Sequence, residues 1–244
     1  MRATCSASSS STPSSTDDLA ALIVEPYQGA AGFIFPPDGY LTRLEAWARD
    51  KDVIFILDEV QSSFGRTGKF FALEWEGLRP NLLCLGKGIG SGVPTAALMA
   101  ESRIMDSLGW GEMSSTTGGN PLSCAAALAV LDIMEHENLV EKARRVGQYM
   151  LRRFQGMAEK YEMLGDARGK GLVMGLEFVE DKQSLAPAPE LTRDIVRSMC
   201  EHGVVCGCLG WHGNVIRVAP PLVITDEHAE QVCDTFDAVL SQHR

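Results

Sequence analysis

The sequence predicts an α/β protein: a mostly parallel sheet flanked by helices, followed by a smaller C-terminal α+β unit. Three observations carry this. Residues 19–24, 53–57 and 82–85 are unbroken apolar runs, and each ends in polar or glycine residues. Helical or irregular connections of about two to three dozen residues separate them, which is the pattern of parallel strands covered on both faces. The second half instead alternates helices with short strand-like runs.

Residues 1–16 are rich in Ser and Thr and contain no acid, so they cannot bury enough apolar surface to offset their ordering entropy. They are expected to be disordered. Residues 17–137 form the first unit, with a strand at 19–24, a helix at 41–51 whose Leu44, Trp47 and Ala48 recur at helical spacing, and strands at 53–57 and 82–85. The loop 109–120 offers hydroxyls and N–H groups, and Asn120 and Pro121 suit the first turn of the helix that follows. Such a turn is suited to a phosphate. The second unit, 138–244, opens with Asn138 as the cap of a helix reaching about residue 160, with Leu139, Ala143, Val146, Met150 and Phe154 on one face. Strand-like 172–179, a helix over 190–202, strands near 204–209 and 215–218 and a last helix over 226–242 complete it.

Composition excludes several classes. The 244 residues are 45% hydrophobic and 22% charged, an ordinary globular balance. A formal charge of −10, from 32 acids against 22 bases, gives no overall attraction to nucleic acid or an anionic membrane. No apolar run approaches the roughly 20 residues of a membrane helix. Seven cysteines without a regular framework read as free thiols in a reducing, cytoplasmic compartment. Cys206 and Cys208 are spaced C-x-C, which is not the zinc pattern, and are expected to be packed strand residues; no metal site is predicted.

Residues 82–94 concentrate the chemistry. A buried strand ends there in Gly86-Lys87-Gly88-Ile89-Gly90-Ser91-Gly92, delivering Lys87 to the carboxyl edge of the sheet, where open α/β folds bind ligands. Partial desolvation there would lower the lysine pKa and make it a nucleophile toward carbonyls. An ordinary turn lysine has the same local sequence, so the rest of the chain has to decide.

Five motifs do so. Glu25-Pro26-Tyr27-Gln28-Gly29, the run from Leu57-Asp58-Glu59 through Gln61 to Gly65-Arg66-Thr67-Gly68, Gly86-Lys87-Gly88, Ser115-Thr116-Thr117-Gly118-Gly119-Asn120-Pro121 and Asn214-Val215-Ile216-Arg217 stand in the order seen in class III pyridoxal-phosphate aminotransferases. The chain resembles that family over about residues 19–240. The resemblance implies a fold-type-I enzyme, pyridoxal 5'-phosphate as cofactor, and a homodimer with shared active sites. It implies that Lys87 forms the Schiff base and then moves the proton between Cα and C4′. Asp58 would pair with the pyridinium nitrogen, Gln61 with the phenolic oxygen, and Thr116 with the phosphate of the partner subunit's cofactor. Arg217 would hold the substrate carboxylate in a planar bidentate pair. Arg66 suits either turn stabilisation or ligand contact.

The implied reaction is ping-pong transfer of an amino group from an amine or amino acid to a 2-oxo acid such as pyruvate or 2-oxoglutarate. An aminomutase, decarboxylase or racemase would share Lys87 and Asp58. Ala30 stands where 4-aminobutyrate and ornithine aminotransferases have a glutamate facing the carboxylate arginine, Thr117 replaces an aromatic residue and Ser63 a glycine. Nothing in residues 1–18 resembles the family's phosphate loop or the aromatic ring that stacks on the cofactor. The chain is therefore expected to be a fragment, and a non-catalytic partner subunit is the alternative from a different class.

Overall fold

The computed structural model describes residues 19–243; the segment expected to be disordered, 1–16, lies outside them. Strands β1 (Ala21–Val24), β2 (Ile54–Asp58) and β3 (Leu82–Leu85) are parallel neighbours in that order. Val24 lies opposite Leu57 and Asp58 opposite Cys84, so all three carboxyl ends reach one edge. The fold class expected from the apolar runs is the one observed. A fourth strand, β4 (Ala97–Ala100), pairs antiparallel with β3 and was not anticipated, because its short Ala-rich run merges with the glycine loop before it.

Helix α1 (Tyr40–Asp50) covers this sheet with Leu41 and Ala48, and the short α2 (Ser102–Met105) follows β4. Helix α3 (Pro121–His136) starts as expected: the Asn120 side chain accepts the Ser123 N–H at 3.0 Å, and Pro121 sits in the first turn, where its missing donor costs nothing. Helix α4 (Leu139–Lys160) does not start as expected. Asn138 is left-handed, with φ of 49°, and its side chain makes no cap bond. It acts as the turn residue between α3 and α4, a conformation that Asn tolerates better than most.

Strands β5 (Leu164–Lys170), β6 (Val173–Phe178), β7 (Gly207–Leu209) and β8 (Val215–Val218) form a second, antiparallel sheet in the order β5-β6-β8-β7, with α5 (Pro189–Glu201) and α6 (Asp226–Gln242). The sequence of β5, with Gly165, Asp166, Arg168 and Gly169, carries no apolar alternation and was not anticipated as a strand. Non-local bonds hold it instead. Arg168 donates to Asp166 and Glu177 at 2.7 Å each, and to the carbonyls of Gly32 and Phe33 in the loop after β1.

Two large hydrophobic clusters divide the described residues, beside a small third one that joins Tyr27, Phe33 and Val173. One gathers Leu41, Phe55, Leu57, Leu83 and Leu85 with Met134 and Leu139; the other gathers Met150, Phe154, Leu164, Leu176, Ile195 and Phe236. The predicted apolar face of α4 is buried throughout. Where the two halves meet, backbone replaces side chain. A Cβ on Gly147 of α4 would lie 1.9 Å from the Gly171 carbonyl oxygen, and a Cβ on left-handed Gly171 would lie 2.3 Å from the Thr67 carbonyl carbon. Only glycine permits this approach. Leu172 N–H donates to the Arg66 carbonyl, and Arg66 Nη1 donates to the carbonyls of Leu172 (2.9 Å) and Pro220 (2.5 Å).

The cysteines depart from expectation. Cys206 precedes β7 and is half-buried, which pushes its thiol up to about 11, whereas Cys208 is exposed, so the two are not a packed pair. All cysteines among the described residues are free thiols, and no group of three or more metal-ligating side chains is found among them. No helix among the described residues is long and apolar enough to cross a membrane.

Candidate active site

The carboxyl edge of the first sheet is built by strand period. Asp58 and Glu59 are adjacent and face opposite ways. Asp58 accepts the Val60 N–H at 3.0 Å through Oδ1, and Oδ2 has no hydrogen bond among the described residues. Its charge, after burial, helps push the Cys84 thiol on the neighbouring strand upward. Glu59 turns inward and is fully buried. Its carboxylate accepts from Ser62 Oγ (2.9 Å), Ala72 N–H (2.8 Å) and Leu73 N–H (2.7 Å). Burial holds its carboxyl above the usual range, and those hydrogen bonds oppose the shift.

Glu59 therefore anchors the turn that carries Gln61, a role the sequence did not reveal. Replacing it with Gln keeps the shape but turns an amide N–H₂ toward N–H donors. About 2 kcal/mol of stability should be lost, read as a lower urea midpoint at unchanged slope, and an unchanged midpoint would refute the role.

Gln61 stands one turn beyond Asp58, and its Oε1 is buried without a partner among the described residues. The space it occupies exists because position 29 is glycine: a Cβ there would lie 2.2 Å from Oε1. Tyr27 is buried and donates its hydroxyl to the Gln61 carbonyl at 3.3 Å, with its rings packed on Phe33 (5.7 Å, edge-on) and Phe35 (5.0 Å). Desolvation raises the Tyr27 pKa strongly, with the nearby Arg66 and Arg217 charges pulling it down.

Lys87 begins a tight 3₁₀ turn after β3 with φ of 43°, at the edge the sequence assigned to it. It is exposed, so the desolvation expected from the sequence is absent: the turn lifts the lysine off the sheet, and no described residue covers it. The loop after Lys87 is tied to α3, where Ser123 Oγ donates to the Pro94 carbonyl at 3.3 Å.

Arg217 is exposed as well. An alternating strand would make a central arginine an odd inward choice, and here it is the one exposed position of β8, opposite Gly175 on β6 and Gly207 on β7. Those glycines leave its guanidinium free to lie 5.9 Å from the Phe33 ring. It forms no ion pair among the described residues, as the alanine at position 30 foreshadowed. Arg66 lies close enough to feel its charge; burial first, then Arg217, lowers the Arg66 pKa while Tyr27 raises it.

A chain of contacts thus runs from Gln61, three residues beyond Asp58, through Tyr27 and Phe33 to Arg217. Thr116 stands apart, exposed in the turn before α3, with no hydrogen bond to Asp58, Gln61 or Lys87. Sequence reasoning missed Tyr27 and Glu59 as site builders. The only signal was a buried aromatic inside a Pro-Tyr-Gln-Gly turn, and a second acid after the first.

The class-III aminotransferase model matches residues 4–240. Among curated proteins, the chain is 39% identical over 224 residues to a 4-aminobutyrate aminotransferase of Mycobacterium leprae, covering 92% of this chain and 50% of that protein. It is 40% identical to an ornithine aminotransferase of Oceanobacillus iheyensis (93% and 54%) and 39% identical to an alanine/serine racemase of Pyrococcus horikoshii (92% and 47%). The solved ornithine aminotransferase of Toxoplasma gondii superposes with a TM-score of 0.86 at 33% identity, over 93% of this chain and 53% of that one. The chain spans about half the length of the curated relatives it matches. With a family match across nearly all of the sequence and the same fold in solved relatives, the chain belongs to the class-III aminotransferase family.

Proposed function

We propose that this chain carries the lysine half of a pyridoxal-phosphate-dependent aminotransferase site, working from an amine or amino-acid donor to a 2-oxo acid by alternate half-reactions. The observation that carries the reading is the meeting, at one sheet edge, of Asp58, Lys87 and the buried, unpartnered amide oxygen of Gln61. These residues fit the cofactor. A carboxylate suits a protonated ring nitrogen, an amide suits a phenolic oxygen, and an exposed amine suits an aldehyde.

Bound pyridoxal phosphate supplies an electron-withdrawing ring that accepts the electron pair left when a substrate Cα–H bond breaks. Asp58, at the sheet edge with its Oδ2 free of hydrogen bonds among the described residues, would hold the proton on the ring nitrogen. The Lys87 amine holds the substrate-derived proton and returns it to a different carbon. Arg217 would orient the substrate by its carboxylate, and among the described residues no acid forms an ion pair with its guanidinium. Thr116, which makes no hydrogen bond to Lys87 in its own chain, would serve the phosphate in a homodimer partner, and the protein works in the cytoplasm.

The racemase among the relatives favours a second reading of the same residues, in which the proton returns to Cα. The test is to reduce the protein with borohydride after adding pyridoxal phosphate and to map the modified peptide. Label at Lys87 is the expected result. A folded chain that takes no label there would overturn the reading in favour of a non-catalytic subunit. Donor and acceptor screening then separates transamination from racemisation.

A further inference from the structure

A cavity of about 290 Å³ lies at the opposite end of the first sheet from Lys87, where β2 and β3 begin and β4 ends. It is larger than a cleft of about 20 Å³ between Tyr27 and Trp75, and approaches the size at which small-molecule sites begin. Its walls are charged. Arg49, Arg79 and Arg103 contribute three guanidiniums, and Glu45, Asp52 and Glu101 three carboxylates, for a formal sum of zero.

Most of these groups are committed to the protein. Glu101 accepts from Arg103 Nε at 2.6 Å and from Asn81 Nδ2 at 2.9 Å, and Asn81 Oδ1 in turn accepts the Phe55 N–H at 2.8 Å. Glu45 accepts the Arg79 backbone N–H at 2.6 Å and lies 3.6 Å from Arg49 Nη2. Two groups remain. Arg79 and Asp52 both line the cavity, and neither the guanidinium nor the carboxylate forms an ion pair or a side-chain hydrogen bond among the described residues.

We propose that this cavity binds a small zwitterion of the α-amino-acid class, its carboxylate on Arg79 and its ammonium on Asp52. A guanidinium takes a carboxylate in two parallel hydrogen bonds, and a carboxylate takes an ammonium. An anion alone would meet no net positive field here, since the charges of the wall cancel, whereas a zwitterion satisfies both uncommitted groups at once. The site is separate from Lys87 and Arg217, so occupancy there does not compete with chemistry at the other edge. The inference stands without the aminotransferase reading.

The test is a titration of the isotope-labelled, cofactor-free protein with L-alanine, followed by NMR, with acetate and methylammonium as probes that each carry one of the two charges. L-Alanine should shift the side-chain resonances of Arg79 and Asn81, at least about tenfold more tightly than either half-probe. Arg79→Gln and Asp52→Asn, both exposed and outside the cores, should each weaken that binding by about tenfold or more, while Arg217→Gln leaves it intact. Acetate binding as tightly as L-alanine would overturn the proposal. So would shifts that survive both cavity substitutions, shifts confined to the surroundings of Phe33 and Arg217, or none at tens of millimolar. Because no cofactor is present, an unlabelled Lys87 in the borohydride experiment would leave this result untouched.

Discussion

Lys87→Ala is expected to lower amino-group transfer by at least about 10²- to 10⁴-fold in the assembled holoprotein, the usual contribution of a positioned acid–base group. The loss should fall on kcat, because on the proposed reading the amine would move a proton after substrate has bound and contribute little to substrate affinity. Two further readouts separate this from misfolding. A small amine such as ethylamine added to the alanine variant should restore part of the rate, since it can carry the same proton. Lys87→Arg, which keeps the charge but cannot give up a proton near neutral pH, should be no more active than Lys87→Ala. Stability should hardly change in either variant, because Lys87 is exposed and makes no ion pair among the described residues. Turnover within tenfold of the parent, under saturating donor and acceptor, would remove Lys87 from the mechanism.

Gly147→Ala is expected to destabilise the fold by about 3 kcal/mol or more, the upper range of overpacking. The direction is the informative part. In an exposed helix interior the same change stabilises by up to about 1 kcal/mol. Gly147 is buried in α4, however, and the added methyl would lie 1.9 Å from the Gly171 carbonyl oxygen, a backbone atom that no rotamer change can move. Gly171 is itself pressed against Thr67 and Gly68, so relief would have to pass into the loop carrying Arg66. Urea or thermal unfolding measures the effect. A variant as stable as the parent would show that the helix and the 171 turn are not held together as described.

Much of the first sheet was legible because burial on both faces leaves unbroken apolar runs, and Leu57-Asp58-Glu59 and Leu85-Gly86-Lys87 mark where those runs meet the site. β4 and β5 were not. The first is a short edge run beside a glycine loop, and the second is polar and held by Arg168 reaching the loop at Gly32 and Phe33, a non-local bond with no local signature. The same limit applies at the site. Asp58, Gln61 and Lys87 follow from the order of motifs, whereas the inward turn of Glu59, the support of Gln61 by Tyr27, and the exposure of Lys87 and Arg217 depend on what packs beside them. Asn138 illustrates the reverse case: the residue type suited a cap, and the α3–α4 corner required a left-handed residue instead.

Arg66 bonds the carbonyl of Pro220, three residues beyond Arg217, while its own backbone belongs to the turn that continues from Asp58 and Gln61. It therefore works as the pivot of a caliper, with the sheet edge carrying Lys87 as one jaw and β8 carrying Arg217 as the other. On the proposed reading, the gap between jaws would fix how far from its carboxylate a bound molecule can present the atom that reacts. Substrate length would then be gauged by the seating of one sheet against the other, and substitutions at the pivot would reset the gauge without touching either jaw.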